Sequence, residues 1–92
     1  MKPPEHATEL KAELKRSLMA GELSLGEAIR RMRKIVGMNQ TDYANKVANV
    51  APRILMDIER GRGNPTVETL NKIGRPFGYK VGFVPKKPAT DK

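Results

Sequence analysis

Between residues 24 and 78 the chain is cut at short intervals by residues that start or stop helices. Ser24, followed three positions later by Glu27, forms an S-x-x-E box in which each side chain satisfies an orphan amide of the other's turn. Leu25, Ala28, Ile29, Met32, Ile35 and Val36 then recur at helical spacing until Gly37 stops the run. Asn39 can cap a helix over Gln40–Ala48 with Tyr43, Ala44 and Val47 as its apolar positions, and Asn49-Val50 makes a short turn. Pro52 suits the first turn of the next helix, where its missing amide would be unpaired anyway, and Ile54, Leu55 and Ile58 carry that helix to Gly61. After the loop Gly61-Arg62-Gly63-Asn64, Pro65 and Thr66 open a further helix with Val67, Leu70 and Ile73 inward, which Gly74 and Pro76 weaken or end. Such punctuation specifies a mainly α domain of four short helices over residues 24–78.

The flanks differ. Residues 1–23 form an N-terminal arm in which Leu10, Leu14 and Leu18 recur every fourth position from Ala7 to about Ala20, a thin apolar seam between charged flanks. That seam can pack on its own domain, on a second subunit or on a partner protein. After Gly78 the period changes to two: Tyr79, Val81 and Phe83 alternate with Lys80, Gly82 and Val84 up to Pro85, which reads as a single β-strand over residues 79–85. A lone strand is either loop-like or pairs with the same strand of a second copy, and the second option is favoured because a small domain gains most from a symmetric partner. Residues 86–92 read as a basic tail.

Composition narrows the chemistry. The 92 residues carry a net charge of +8. The arm is neutral, residues 24–78 contribute +5 and residues 79–92 contribute +3. A surface of this kind suits a polyanion, because neutralised phosphates release condensed counterions. With no Cys and the one His at position 6, thiolate metal sites, disulfides, Cys nucleophiles and a Ser/His/Asp triad are excluded, so neither catalytic residues nor a metal or other cofactor is expected. No run approaches the roughly 20 apolar residues needed to span a bilayer, and a cytoplasmic, nucleoid-associated protein is expected. Two Tyr and two Phe give little basis for base-stacking RNA recognition.

The ordered pieces Ile29-Arg30-Arg31-Met32-Arg33-Lys34, Asn39-Gln40-Thr41-Asp42-Tyr43-Ala44, Val50 through Ile58-Glu59-Arg60-Gly61, and Asn64-Pro65-Thr66-Val67-Glu68-Thr69-Leu70 strongly resemble the XRE family of helix-turn-helix regulators, the group that includes phage Cro and repressor proteins. The resemblance covers about residues 25–78. The strand directly after the fourth helix is further similar to HipB-type antitoxins, in which such a strand pairs across a homodimer.

The resemblance implies a role for each matched residue. Arg53, Ile54 and Asp57 fall where the recognition helix reads bases: an Arg fork for guanine, an apolar contact for a thymine methyl, and a carboxylate acceptor for a cytosine amino group. Gln40, Arg60, Arg62 and Asn64 fall at phosphate-contact positions, and Lys72 and Arg75 add to the positive field. Arg33 and Glu59 occupy the positions of a structural salt bridge. Tyr79, Val81 and Phe83 would form the dimer strand, and Leu10, Leu14 and Leu18 a seam for a toxin partner. Ala51-Pro52 departs from the Ser/Thr-plus-polar opening common in the family and removes one capping hydroxyl. The expected function is a homodimeric repressor of a palindromic operator on double-stranded DNA, the antitoxin of a toxin–antitoxin operon; the alternative is a stand-alone phage- or plasmid-type regulator.

Overall fold

The computed structural model describes residues 5–83. Five helices follow one another: α1 (Ala7–Met19), α2 (Leu25–Val36), α3 (Gln40–Asp42, running directly into a π-helical segment, Tyr43–Ala48), α4 (Pro52–Glu59) and α5 (Val67–Gly74), with a 3₁₀ turn at Arg75–Phe77. The caps decide the starts. Glu27 N–H donates to Ser24 Oγ at 3.2 Å while Ser24 N–H donates to Glu27 Oε1 at 3.2 Å, so the box closes from both sides. Asn39 Oδ1 accepts from Asp42 N–H at 2.7 Å and Thr66 Oγ1 accepts from Thr69 N–H at 3.1 Å. Ala51 supplies no side-chain cap to α4, which begins on Pro52.

Two left-handed residues set the turns. Gly37 ends α2 at φ 71°, and Asn49, at φ 57°, turns the chain from the π-helical segment toward α4. Asn tolerates this conformation better than other residues with a Cβ, because its short amide bonds locally.

The core gathers Ile29, Met32 and Ile35 from α2, Tyr43, Ala44 and Ala48 from the π-helical segment, Leu55 and Ile58 from α4, Ile73 from α5, and Leu14 from α1. Tyr43 is fully enclosed, and its hydroxyl donates to the Ile73 carbonyl at 2.7 Å; burial pushes its ionisation up to about 12. Among the described residues no buried side-chain polar atom lacks a partner. Leu25 and Val67, expected to face inward, lie 49% and 62% exposed: each occupies the first position of its helix, where the apolar stripe has not yet turned toward the core.

The arm is corrected by this packing. Leu14 is 0% exposed and lies in the common core, with Leu10 and Leu18 partly buried against it. Of the places open to the seam, its own domain takes it. Docking of Leu10, Leu14 and Leu18 on a toxin is set aside, since Leu14 could reach a partner only by leaving the core.

The strand expected at Tyr79, Val81 and Phe83 is likewise corrected: no strand is present among the described residues. Tyr79 N–H donates to the Gly74 carbonyl at 3.0 Å, Val81 N–H donates to Asn71 Oδ1 at 2.9 Å, and the Tyr79 ring stacks on Phe77 with centroids 6.2 Å apart. A single chain offers this segment no second strand, so its amides turn to α5 instead. Val84, Pro85 and the basic tail lie outside the described residues.

Gly26 shows how closely α2 and α4 meet. A Cβ at this position would stand 2.8 Å from the carbonyl oxygens of both Ile58 and Glu59, backbone atoms that cannot swing aside. Elsewhere in a helix, Gly→Ala gains about 0.5–1 kcal/mol. Here overpacking reverses the sign, and Gly26→Ala is expected to lower stability by about 1–3 kcal/mol. Thermal denaturation checks this, and a raised melting temperature would show that the two helices can separate freely.

Candidate nucleic-acid interface

The α4 helix divides its residues sharply. Leu55 and Ile58 are buried at 0% and 4% exposure, while Arg53 is exposed and Ile54 is 40% exposed. One face thus anchors the helix and the other is presented outward. Asp57 is half-buried on the outward side, one turn beyond Arg53 and Ile54. Its carboxylate makes no ion pair with Arg53 or Arg60 among the described residues; its backbone carbonyl accepts from the Arg60 and Arg62 amides at 3.1 and 2.8 Å, which curls the chain off the helix. Gly61 and Gly63 take φ of 75° and 80° in the loop that follows, where Arg60, Arg62 and Asn64 are all exposed.

Between α4, this loop and the start of α5 lies an open groove of about 210 Å³ whose lining includes Ile54, Asp57, Arg62, Asn64 and Thr69. Base-reading and phosphate-contact candidates therefore border one depression. A base edge entering it would meet an apolar side chain, a carboxylate and amide or guanidinium donors, which is the mixture that distinguishes base pairs in the major groove.

Behind this face sits a buried carboxylate. Glu59 Oε2 accepts from Arg33 Nε at 2.6 Å, and Oε1 accepts from Arg33 Nη2 at 2.9 Å and from Gln40 Nε2 at 3.0 Å. Arg33 Nη1 also donates to the Met38 carbonyl at 3.2 Å. One guanidinium thereby ties α2, the turn before α3, and the end of α4. Burial works to raise the Glu59 carboxyl, but the hydrogen bonds from Arg33 and Gln40, with the charges of Arg33 and Arg30, outweigh it and hold the group below the ordinary carboxylate range.

Gln40, expected at a phosphate-contact position, thus spends one side-chain donor inside the protein on Glu59 Oε1. Beside the expected Arg33–Glu59 pair stands a residue that the resemblance does not include, Arg30, whose Nε lies 3.8 Å from Glu59 Oε1. The signal was available: Arg30 precedes Arg33 by one helical turn on the same helix and shares its face. Among the described residues there is no cluster of His, Cys, Asp and Glu able to hold a metal ion, and no helix is long and apolar enough to cross a membrane.

Comparison with known proteins agrees with this geometry. A family model described as helix-turn-helix matches residues 29–84. Endothelial differentiation-related factor 1 of Rattus norvegicus is 39% identical over 59 residues, covering 64% of this chain and 39% of the relative. Multiprotein-bridging factor 1 of Debaryomyces hansenii is 33% identical over 60 residues, covering 65% and 39% respectively. HTH-type transcriptional regulator DdrOP3 of Deinococcus deserti is 36% identical over 59 residues, covering 64% and 45%. The matched region spans less than half the length of each of these relatives. No solved structure matches the chain. With the matched region taking in the whole α3–turn–α4 unit and more than half of the sequence, the chain belongs to the XRE-type helix-turn-helix family.

Proposed function

We propose that this protein is a sequence-specific transcriptional regulator that places α4 in the major groove of duplex DNA. The observation that carries the reading is the division of α4: Leu55 and Ile58 are locked in the core while Arg53 and Ile54 are presented outward, beside a loop bearing Arg60, Arg62 and Asn64. The +5 charge of residues 24–78 supplies the long-range attraction, and the relative from Deinococcus deserti is itself named a transcriptional regulator. In this reading Arg53, Ile54 and Asp57 read bases, Gln40, Arg60, Arg62 and Asn64 hold phosphates, and the protein works where the nucleoid is.

The binding unit is a homodimer on a palindromic operator. Half-sites one helical turn apart are centred about 34 Å from each other. The domain measures 43 × 31 × 20 Å, so two copies fit side by side on one face of the duplex. The fully exposed Phe83 and the backbone edge of residues 79–83 that does not face α5 offer a second copy an apolar, hydrogen-bonding contact.

Two finer readings separate by experiment. An autoregulating antitoxin has as its support only the sequence alternation of Tyr79, Val81 and Phe83, which forms no strand among the described residues; the relatives named multiprotein-bridging factors favour a regulator that also engages protein partners. Co-expression with the product of the adjacent open reading frame, followed by size-exclusion chromatography, decides between a toxin complex and a stand-alone regulator.

The DNA reading is tested at Arg53. Arg53→Ala is expected to weaken operator binding by about 1–3 kcal/mol and to relax the preference at a single guanine position. Binding to a panel of operator variants reads both quantities. A uniform loss on every sequence would demote Arg53 to a phosphate contact, and no loss at all would remove α4 from the groove.

A further inference from the structure

We infer that Arg30, on the helix preceding the helix-turn-helix unit, is a phosphate-contact residue that extends the DNA interface onto α2 beside Gln40. The inference rests on the DNA reading above and adds to it a residue that neither the family resemblance nor the recognition helix supplies.

The argument starts from a surplus of charge. The Glu59 carboxylate already accepts three hydrogen bonds within the domain: Arg33 engages both oxygens and Gln40 takes a second position on Oε1. The Arg33–Glu59 pair is electrically closed, with side chains 14% and 2% exposed. Arg30 stands outside it. Its Nε is 3.8 Å from Oε1, beyond hydrogen-bond reach, and its side chain is 48% exposed. Two guanidinium groups thus face one carboxylate, and one positive charge is left over.

That charge adds little to folding: a half-exposed cation at this distance gains little Coulomb energy in high dielectric, and Arg30 and Arg33 repel each other across the shared anion. An external anion reverses this balance, because it can neutralise the Arg30 excess without taking Arg33 from Glu59.

Position selects the anion. Gln40 Nε2 and Arg30 Nε approach the same buried oxygen, Oε1, at 3.0 and 3.8 Å, so the partly exposed Gln40 and the half-exposed Arg30 side chains lie side by side. Gln40 has an amide hydrogen in hand, and Arg30 has its two Nη groups. Together they form a neutral donor and a cationic fork side by side, which suits a phosphodiester with its single negative charge and two free oxygens. Glu27, one turn before Arg30 and the acid nearest in sequence on α2, is held by Ser24 in the capping box and does not cancel the charge. The same arrangement makes Glu59 a positioning residue: it fixes the orientation of Gln40 and the approach of Arg30 at once, and links the backbone grip on α2 and α3 to the end of the base-reading helix.

The test compares Arg30→Gln, Arg30→Lys and a remote charge control, Lys11→Gln on α1, in titrations of a duplex operator and of an unrelated duplex at several salt concentrations. Arg30→Gln is expected to lower affinity about tenfold at 0.1 M salt on both duplexes and to reduce the slope of log K against log salt by about 1, with base preference unchanged. Arg30→Lys, which keeps the charge, restores the slope. Lys11→Gln leaves the slope where it was. A neutral methylphosphonate placed at the contacted phosphate abolishes the difference between wild type and Arg30→Gln. An unchanged slope in Arg30→Gln would overturn the inference while leaving the DNA reading intact; so would a lowered melting temperature with no change in slope, which would assign Arg30 to Glu59 alone. If the wild type bound no duplex at any salt, the DNA reading would fall and this inference with it.

Discussion

Arg33→Ala is expected to cost about 3–5 kcal/mol of folding stability, because it strands the Glu59 carboxylate without its guanidinium in a place where it is only 2% exposed. For a domain of this size the loss corresponds to a fall in melting temperature of roughly 15 °C or more, a large share of a total that is small to begin with. Glu59→Ala should cost a similar amount, since it leaves the Arg33 and Arg30 cations facing each other and removes the acceptor of Gln40. Replacing both partners together, Arg33→Met with Glu59→Met, should cost less than either alanine variant alone, because no buried charge is then left unpaired. Circular dichroism melts give all three values. Wild-type stability in both alanine variants would mean that solvent reaches the pair freely and that it holds nothing together.

The same pair sets the response to acid. The Glu59 carboxyl lies below its ordinary 4.5 in the folded protein, so the unfolded chain takes up this proton first as pH falls. The stabilisation is fully present above about pH 4.5 and drains away as pH falls through the folded value. Melting temperature should therefore hold from neutrality to about pH 5 and then decline. Glu59→Gln should start lower and decline less steeply.

The parts of this fold that are written in local chemistry were legible before the structure. Ser24, Asn39 and Thr66 each bond an amide three residues ahead, and such caps need only their own turn. The outward setting of Arg53 follows from Leu55 and Ile58, whose spacing fixes which side of α4 is buried. What failed depended on distant partners. The alternation Tyr79-Val81-Phe83 is a real period of two, but a strand also needs a neighbour, and Asn71 and Gly74 supplied the Val81 and Tyr79 amides with acceptors that no pattern announces. Leu14 reads the same whether it docks on a partner or fills its own core; only the packing of α1 against α2 decides. The widened π turn at Tyr43–Ala48 leaves Tyr43 and Ala44 on the inner side, as a regular helix would, so side-chain periodicity carried no sign of it. Arg30 was legible as a charge but not as a neighbour of Gln40, since the two converge only through Glu59.

Affinity for duplex DNA should fall by roughly three to five decades between 50 and 200 mM salt if the interface neutralises about six to ten phosphates. The supply of cations is adequate for the middle of that range. One chain offers Arg30, Arg53, Arg60 and Arg62 around α4 and the Glu59 cluster, with Lys72 and Arg75 contributing field, and the proposed homodimer would double the set. Asp57 works against it: an acid on the outward side of α4 repels phosphate, and it reduces the slope unless a base amino group engages it. The salt titration thus separates two kinds of contact on the same face. Contacts to phosphates steepen the slope for operator and unrelated DNA alike. Ile54 changes only the difference between them, whereas Asp57 acts on both: Asp57→Asn should raise affinity for unrelated duplexes, where the carboxylate only repels phosphate, while narrowing the operator's advantage. A response that stayed flat across the salt range would mean that these arginines are merely solvated, and α4 would then have to present its exposed face to something other than a polyanion.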